Sequence, residues 1–215
     1  LKKRLSKGEY RFFDLKDGVP YFSTQKFHND REAAPHIDQY GMHRDRLLVA
    51  AEFVKKAVLD YKLGTVSDIC CGDGGLLHYL KPFFKEYEVE AWGYDFQPEN
   101  VKDAQFKRGV DVVFADAVND NVQLGELTIC TEALEHLYEP HEFLQKISKQ
   151  SEVIVISSPN GETPEAHYMY HLWGWSEPAY RKLAEQAGYT VVAHENSSIF
   201  QILMAVKNES SFVGK

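Results

Sequence analysis

The sequence predicts an α/β protein built on a mostly parallel sheet, with helices packed against it and one antiparallel strand near the C-terminus. Three observations carry this reading. Short apolar runs of strand length alternate with segments whose apolar residues recur at helical spacing. The first strand-like run leads into the turn CCGDGG at 70–75, glycine-rich where the chain must reverse into a helix. The last two strand-like runs have no helix between them, so one must run against the others.

Taken in order, residues 1–40 read as irregular and rich in aromatics and His, with a turn at Gly18-Val19-Pro20. A helix is expected from about Asp45 to Lys62, where Leu47, Ala51, Val54, Val58 and Tyr61 form one apolar face and Gly64 supplies the stop. Thr65–Cys70 is a buried strand, followed by a helix carrying Leu76, Leu77, Leu80 and Phe84. Val89–Tyr94 is a second strand ending at Asp95, and Pro98 suits the first turn of the helix after it. Val110–Phe114 and Leu127–Cys130 are the third and fourth strands. A helix over Pro140–Lys149 leads to a fifth strand at Val153–Ser157. Ser176 is placed to cap a helix that ends near Ala187-Gly188. Tyr189–Ala193 and Ile199–Val206 close the chain as a strand pair joined by 195–198.

A chain of 215 residues is of single-domain size, long enough for a full core. Its 44% hydrophobic and 26% charged content excludes wholesale disorder. No run approaches the roughly 18 apolar residues of a membrane span, and the N-terminal region lacks a signal peptide's apolar core. Cys70, Cys71 and Cys130 lack the spacing of a disulfide framework or zinc site, so reduced thiols in a cytoplasmic compartment are expected. The net charge is −8. Residues 1–16 hold six basic and two acidic residues, a local +4 that leaves −12 on the remainder. That acidic body disfavours a phosphate-tracking groove, and nucleic acid is not the expected partner.

Ligands of open parallel sheets bind at the carboxyl ends of the strands. The residues collected there are Asp68 with the 70–75 turn, Asp95, Asp116, and Thr131-Glu132. The turn has neither the dinucleotide spacing G-x-G-x-x-G nor a P-loop's Gly-Lys-Ser/Thr. Asp68 and Asp73 would repel phosphate, so a cationic or zwitterionic ligand fits better. Asp95 can accept from both hydroxyls of a ribose. Asp116 can accept from an adenine amino group or orient a neighbouring N–H toward the ring.

SDICCGDGGLL resembles the first motif of class I S-adenosylmethionine-dependent methyltransferases, GYDFQPENVKDA their second-strand acidic motif, and FADAV their adenine motif. The likeness covers roughly residues 45–206. It implies a Rossmann-like seven-stranded sheet of order 3-2-1-4-5-7-6, strand 7 antiparallel, with helices on both faces. It also implies S-adenosylmethionine as methyl donor. Asp68 and Gly72 would hold its methionine part, beside Cys70 and Thr131-Glu132. Gly74 would shape the loop, Asp95 would bind ribose with Phe96 beside the adenine, and Asp116 and Ala117 would bind adenine. Cys70 stands where the motif has its first glycine.

TEALEHLYEPHEFL, SSPNGE and HLWGWSEPAYRKLAEQAGY resemble segments of ubiquinone-biosynthesis O-methyltransferases. That likeness implies transfer to a small-molecule acceptor, at a hydroxyl oxygen. Glu132, Glu135, His136 and His171 could ligate a divalent cation such as Mg2+ or Mn2+, with His167 a further candidate. Methyltransferases of small-RNA 2′-hydroxyls use a similar site, so an RNA end is the alternative acceptor. Without metal, His136 is the candidate general base beside Glu135. A non-catalytic scaffold on the same fold is a further alternative. Residues 1–44 are expected to form a lid over a methyltransferase domain at 45–215. Its dense groups are Tyr21, Phe22, Phe27, His28, His36, Tyr40, His43 and Arg44. Trp173, Trp175, Tyr168 and Tyr170 are expected to stack a planar acceptor. Oligomeric state is not legible in the sequence.

Overall fold

The computed structural model describes residues 5–30, 36–38 and 41–208. The basic Lys2–Arg4, the Tyr40 of the expected lid and the His36 side chain lie outside that description. Along the chain come β1 (Glu9–Arg11), α1 (Gln25–Asn29), α2 (Met42–Tyr61), β2 (Thr65–Ile69) and α3 (Gly75–Glu86). There follow β3 (Glu90–Asp95), α4 (Pro98–Asp103), β4 (Val112–Phe114), β5 (Leu127–Thr131) and α5 (Pro140–Ile147). The chain continues through β6 (Val153–Pro159), β7 (Trp173–Trp175), α6 (Glu177–Gln186), β8 (Tyr189–Ser197) and β9 (Phe200–Lys207).

Seven strands form one sheet in the order β4-β3-β2-β5-β6-β9-β8. Counting only these strands along the chain, that order is 3-2-1-4-5-7-6. β9 runs antiparallel to both neighbours, and every other pairing is parallel. All of β6 is buried, as an unbroken apolar run in a central parallel strand requires. Its side chains alternate between two cores. Val153 and Val155 pack with α2 and α3, whereas Ile154 and Ile156 pack with α5 and α6. Helices therefore cover both faces.

Two element boundaries differ from the sequence reading, each for a packing reason, and one expected cap makes no bond. α2 stops at Lys62, not at Gly64: Lys62 takes the left-handed conformation (φ 55°, ψ 48°), which turns Leu63 back into the core. Gly64 instead leads into β2, its N–H on Glu126 Oε2 at 2.7 Å. The expected loop 195–198 is mostly strand, with Glu195 opposite Ile202 and Asn196 opposite Gln201. Burial of Phe200, Gln201 and Ile202 draws the pairing on to a tight turn at Ser198-Ile199. Ser176 holds the N-cap position of α6, but its side chain makes no capping bond.

The stretch read as irregular contains β1, which pairs antiparallel with β7, a strand the sequence reading also missed. Two three-residue strands are too short to show a period. Trp173 and Trp175 of β7 are 4% and 0% exposed. They are core residues and do not stack an acceptor, because β1 covers them.

Glu9 of β1 is buried and fastens this corner. Its Oε1 meets His141 Nε2 at 2.5 Å and accepts from Trp175 Nε1 at 3.4 Å, while Oε2 accepts from Ser6 N at 2.8 Å. Burial raises the Glu9 pKa, but the His141 bond, the Ser6 N–H, the His141 charge and Trp175 outweigh it, so the net shift is downward. A lowered carboxylate pKa stabilises the fold above the ordinary Glu value of 4.5, and that contribution disappears as pH falls through the folded value. Glu9→Gln should cost about 1–3 kcal/mol at neutral pH. As pH falls below 4.5 and through the lower folded value, its melting temperature should converge on wild type. Parallel melting curves at all pH values would sink the assignment.

Candidate active site

A cavity of about 1530 Å³ opens at the carboxyl ends of the central strands. Every residue expected to bind the donor lines it except Gly74, as do Glu135, His136 and His171. Gly74 instead shapes the loop: it has φ +70°, and a Cβ there would sit 2.7 Å from Val110 Cγ2. No side chain could replace it without displacing Val110, just before β4. Cys70 turns at φ +57°, a left-handed conformation that a glycine would adopt without strain.

β2 and β3 deliver the carboxylates of the donor end. Asp68 is 2% exposed, and its Oδ1 has no hydrogen-bond partner. Burial, with Asp95 nearby, pushes its pKa well up. Such a group favours a cation or a donor hydrogen beside it. Asp95 spans the loop and the next helix. Oδ2 accepts from Gly72 N at 2.8 Å, and Oδ1 accepts from Gln97 N at 2.9 Å and Asn100 Nδ2 at 3.1 Å. Burial raises its pKa, and those three bonds partly oppose it. Asp116, after β4, organises its own turn through Val118 N at 3.1 Å and Asn119 Nδ2 at 2.7 Å. It thereby fixes the backbone on which an adenine would rest.

The acceptor end is built from the end of β5, the 3-10 turn Leu134–His136, and the segment before β7. Leu172 N donates to Glu135 O at 2.7 Å, and His136 Nδ1 lies 3.2 Å from Tyr170 O. These bonds bring His171 to the Glu135 turn. Ligand atoms of Glu135, His136 and His171 lie within 4.8 Å of one another. Glu135 is 1% exposed, and neither of its carboxylate oxygens has a hydrogen-bond partner. Burial and the Glu132 carboxylate push its pKa well up.

Glu132 is not in that group: its Oε1 accepts from Ser157 Oγ at 2.9 Å. Burial raises the Glu132 pKa, opposed first by the charge of Arg46. His167 is not there either; it stacks on Phe12 at 3.9 Å, on the outer surface. From the N-terminal stretch, His28 and His43 line the cavity, and Ser23 Oγ donates to His136 O at 2.8 Å. Phe22 and Phe27 pack on Tyr170 instead, and Tyr21 is exposed.

Arg46, buried on α2 and facing Glu132 and Glu135, escaped the sequence reading. Its place beside Leu47 and Ala50 on the apolar face was the available signal. Arg108 also escaped; it bonds Asp73 of the glycine loop and Asp38, both at 2.6 Å.

A family model described as a methyltransferase domain matches residues 40–201. The chain belongs to the methyltransferase domain family. No curated protein sequence matches it significantly. Several solved structures share the fold. The N-methyltransferase NodS from Bradyrhizobium japonicum WM9, in complex with S-adenosyl-L-homocysteine, has a TM-score of 0.66 at 13% identity, over 87% of this chain and 98% of that one. The methyltransferase domain of bacterial CtHen1-C has a TM-score of 0.58 at 18% identity, over 78% and 99%. The [4+2]-cyclase SpnF has a TM-score of 0.63 at 14% identity, over 77% and 82%. By family the chain is a methyltransferase domain, and it shares its fold with S-adenosylmethionine-dependent methyltransferases. Because a cyclase shares the fold, the acceptor must be argued from the site.

One residue of this methyltransferase domain ties α5 to the turn after β4. Lys146 of α5 donates from Nζ to the carbonyls of Ala117 (3.0 Å), Val118 (3.1 Å) and Asp120 (2.5 Å). Lys146→Met leaves those carbonyls to water and loosens the turn. Binding of S-adenosylhomocysteine should weaken about tenfold, the equivalent of about 1.4 kcal/mol. An unchanged dissociation constant in calorimetry would show that the turn holds without the lysine.

Proposed function

We propose that the protein transfers the methyl group of S-adenosylmethionine to a hydroxyl oxygen of a small-molecule acceptor, beside a divalent cation at Glu135, His136 and His171. The observation that carries this reading is the convergence of those three side chains around a buried carboxylate with two unpartnered oxygens. Such a carboxylate is costly unless a cation or proton satisfies it. Two imidazoles and a carboxylate favour a first-row transition ion such as Mn2+ over the oxygen-preferring Mg2+.

The bound sulfonium supplies an already activated methyl group, so the protein's work is placement. Asp95 positions the ribose, the Asp116 turn positions the adenine, and Asp68 faces the cationic methionine end. A cation at the cluster would lower the pKa of an acceptor hydroxyl and orient it. The tautomer of His136 matters as well. Its Nδ1 faces the Tyr170 carbonyl, which only accepts, so Nδ1 carries the hydrogen and Nε2 keeps its lone pair. Nε2 lies 4.0 Å from Glu135 Oε1 and is the nitrogen offered to the cation; without the cation, the same nitrogen would be the base that receives the hydroxyl proton. His28 and Ser23, on the N-terminal stretch, border the same space and limit water. The acidic charge of the body supports a small acceptor over an RNA end. Among the described residues, no helix is long and apolar enough to cross a membrane.

The test is calorimetry with S-adenosylhomocysteine, followed by methyl transfer from labelled donor to a panel of phenols, vicinal diols and amines, with Mn2+ or with chelator. Donor binding with Mn2+-dependent labelling of hydroxyl compounds supports the reading. Labelling of amines alone, or equal labelling under chelator, overturns the acceptor or the cation part respectively.

A further inference from the structure

Glu162, in the loop after β6, ends the segment SSPNGE without a role assigned to it there, and it is outside the three-residue cluster. Its side chain is 15% exposed and both of its oxygens are committed. Oε1 accepts from the backbone N–H of Tyr168 at 2.8 Å, and Oε2 lies 2.7 Å from His171 Nδ1. The carboxylate therefore closes the loop 162–168 and holds the imidazole at its end. The loop can lie this close to β7 because residue 174 is glycine: a Cβ there would sit 3.1 Å from both Glu162 Cβ and Glu162 O.

A carboxylate only accepts, so the hydrogen of a neutral His171 sits on Nδ1. Nε2 then presents its lone pair. The two rings of the cluster, His136 and His171, are 4.8 Å apart and nearly perpendicular (75°). His136 has its Nδ1 held by a backbone carbonyl. The two histidines are thus oriented by different means, one by the main chain and one by a single replaceable side chain.

We propose that Glu162 is the positioning residue of the cation site, fixing the tautomer and ring plane of His171 so that Nε2 faces Glu135 and His136. The inference rests on the proposed cation site. A carboxylate behind a ligating imidazole orients the ring and strengthens it as a ligand, and losing it weakens metal binding by about 10- to 100-fold. In Glu162→Gln, the amide oxygen serves either Tyr168 N or His171 Nδ1, and the amide N–H faces the other. Where the N–H faces the ring, the hydrogen shifts to Nε2 and the lone pair turns away from the cluster.

Two measurements on the full chain test this, with Mn2+ as the probe. Electron paramagnetic resonance counts free Mn2+ in titrations of wild type and Glu162→Gln, and calorimetry with S-adenosylhomocysteine reports whether the donor end is intact. The expected result is one Mn2+ per wild-type chain, an about 10- to 100-fold weaker site in the variant, and equal donor binding. Equal Mn2+ affinity in both proteins overturns the role of Glu162 and leaves the cation site standing. A wild type that binds no Mn2+ overturns both. The second measurement needs no variant and no metal. Nitrogen-15 spectra of neutral His171 in the metal-free chain should give a pyrrole-like Nδ1 and a pyridine-like Nε2. The opposite pattern overturns the proposal even if Glu162→Gln fails to fold.

Discussion

Asp95→Ala should weaken donor binding more than any other single change at the donor end. The substitution removes the acceptor expected to take the ribose hydroxyls. It also releases Gly72 N, Gln97 N and Asn100 Nδ2, which hold the glycine loop against the start of α4. A hydrogen bond to a charged group contributes about 1.5–3 kcal/mol. The loss of about 2 kcal/mol raises the dissociation constant of S-adenosylhomocysteine about 30-fold. Calorimetry measures it, with thermal melting to establish that the variant is folded. An affinity within threefold of wild type would remove Asp95 from the ribose site.

Glu135→Gln should have the largest effect on turnover with the least effect on the donor. The amide is close in size, so the buried turn Leu134–His136 and its bond from Leu172 N can persist. It cannot supply the negative charge that a cation between Glu135, His136 and His171 requires. Turnover should fall about 100-fold, equivalent to about 2.7 kcal/mol of lost transition-state stabilisation. Binding of S-adenosylhomocysteine should stay within about threefold of wild type. Melting temperature should hold or rise, since the change removes a buried, unpartnered acid. Full turnover, with or without chelator, would dismiss Glu135 from the chemistry.

Under the proposed function the two substitutions divide the cavity into a donor half and an acceptor half, and the halves differ in how much the sequence revealed. The donor half is local. Asp68, Asp95 and Asp116 each end a strand, and in a parallel sheet the strand ends gather at one edge whatever the details of packing. The glycines of 72–75 announce a turn that only they can make. Reading the period and the punctuation was therefore enough to place these residues together.

The acceptor half is not local. Glu135 and His171 are brought together by bonds from Leu172 N and from His136 to Tyr170 O, across a connection without regular period. Nothing in the spacing of SSPNGE or HLWGWS tells that Glu162 reaches His171, or that His167 turns outward onto Phe12. The Trp173-Gly174-Trp175 run reads equally well as an exposed stacking platform or as core. Pairing with Glu9–Arg11, more than 160 residues earlier, decides for core.

The sequence by itself determined the alternation of strands and helices, the antiparallel strand near the C-terminus, the gathering of acids at the strand ends and the candidacy of Glu135, His136 and His171; the sheet order and the two-sided helical covering were implied by the family resemblance. Apolar periodicity, glycine and strand-end acids act over a few residues and survive without knowledge of partners. Only the tertiary structure decided that Glu132 turns to Ser157, that Arg46 faces the carboxylates, and which nitrogen of each histidine is held by an acceptor. Those outcomes depend on contacts between segments distant in the chain, and burial fixes them only once both segments are in place.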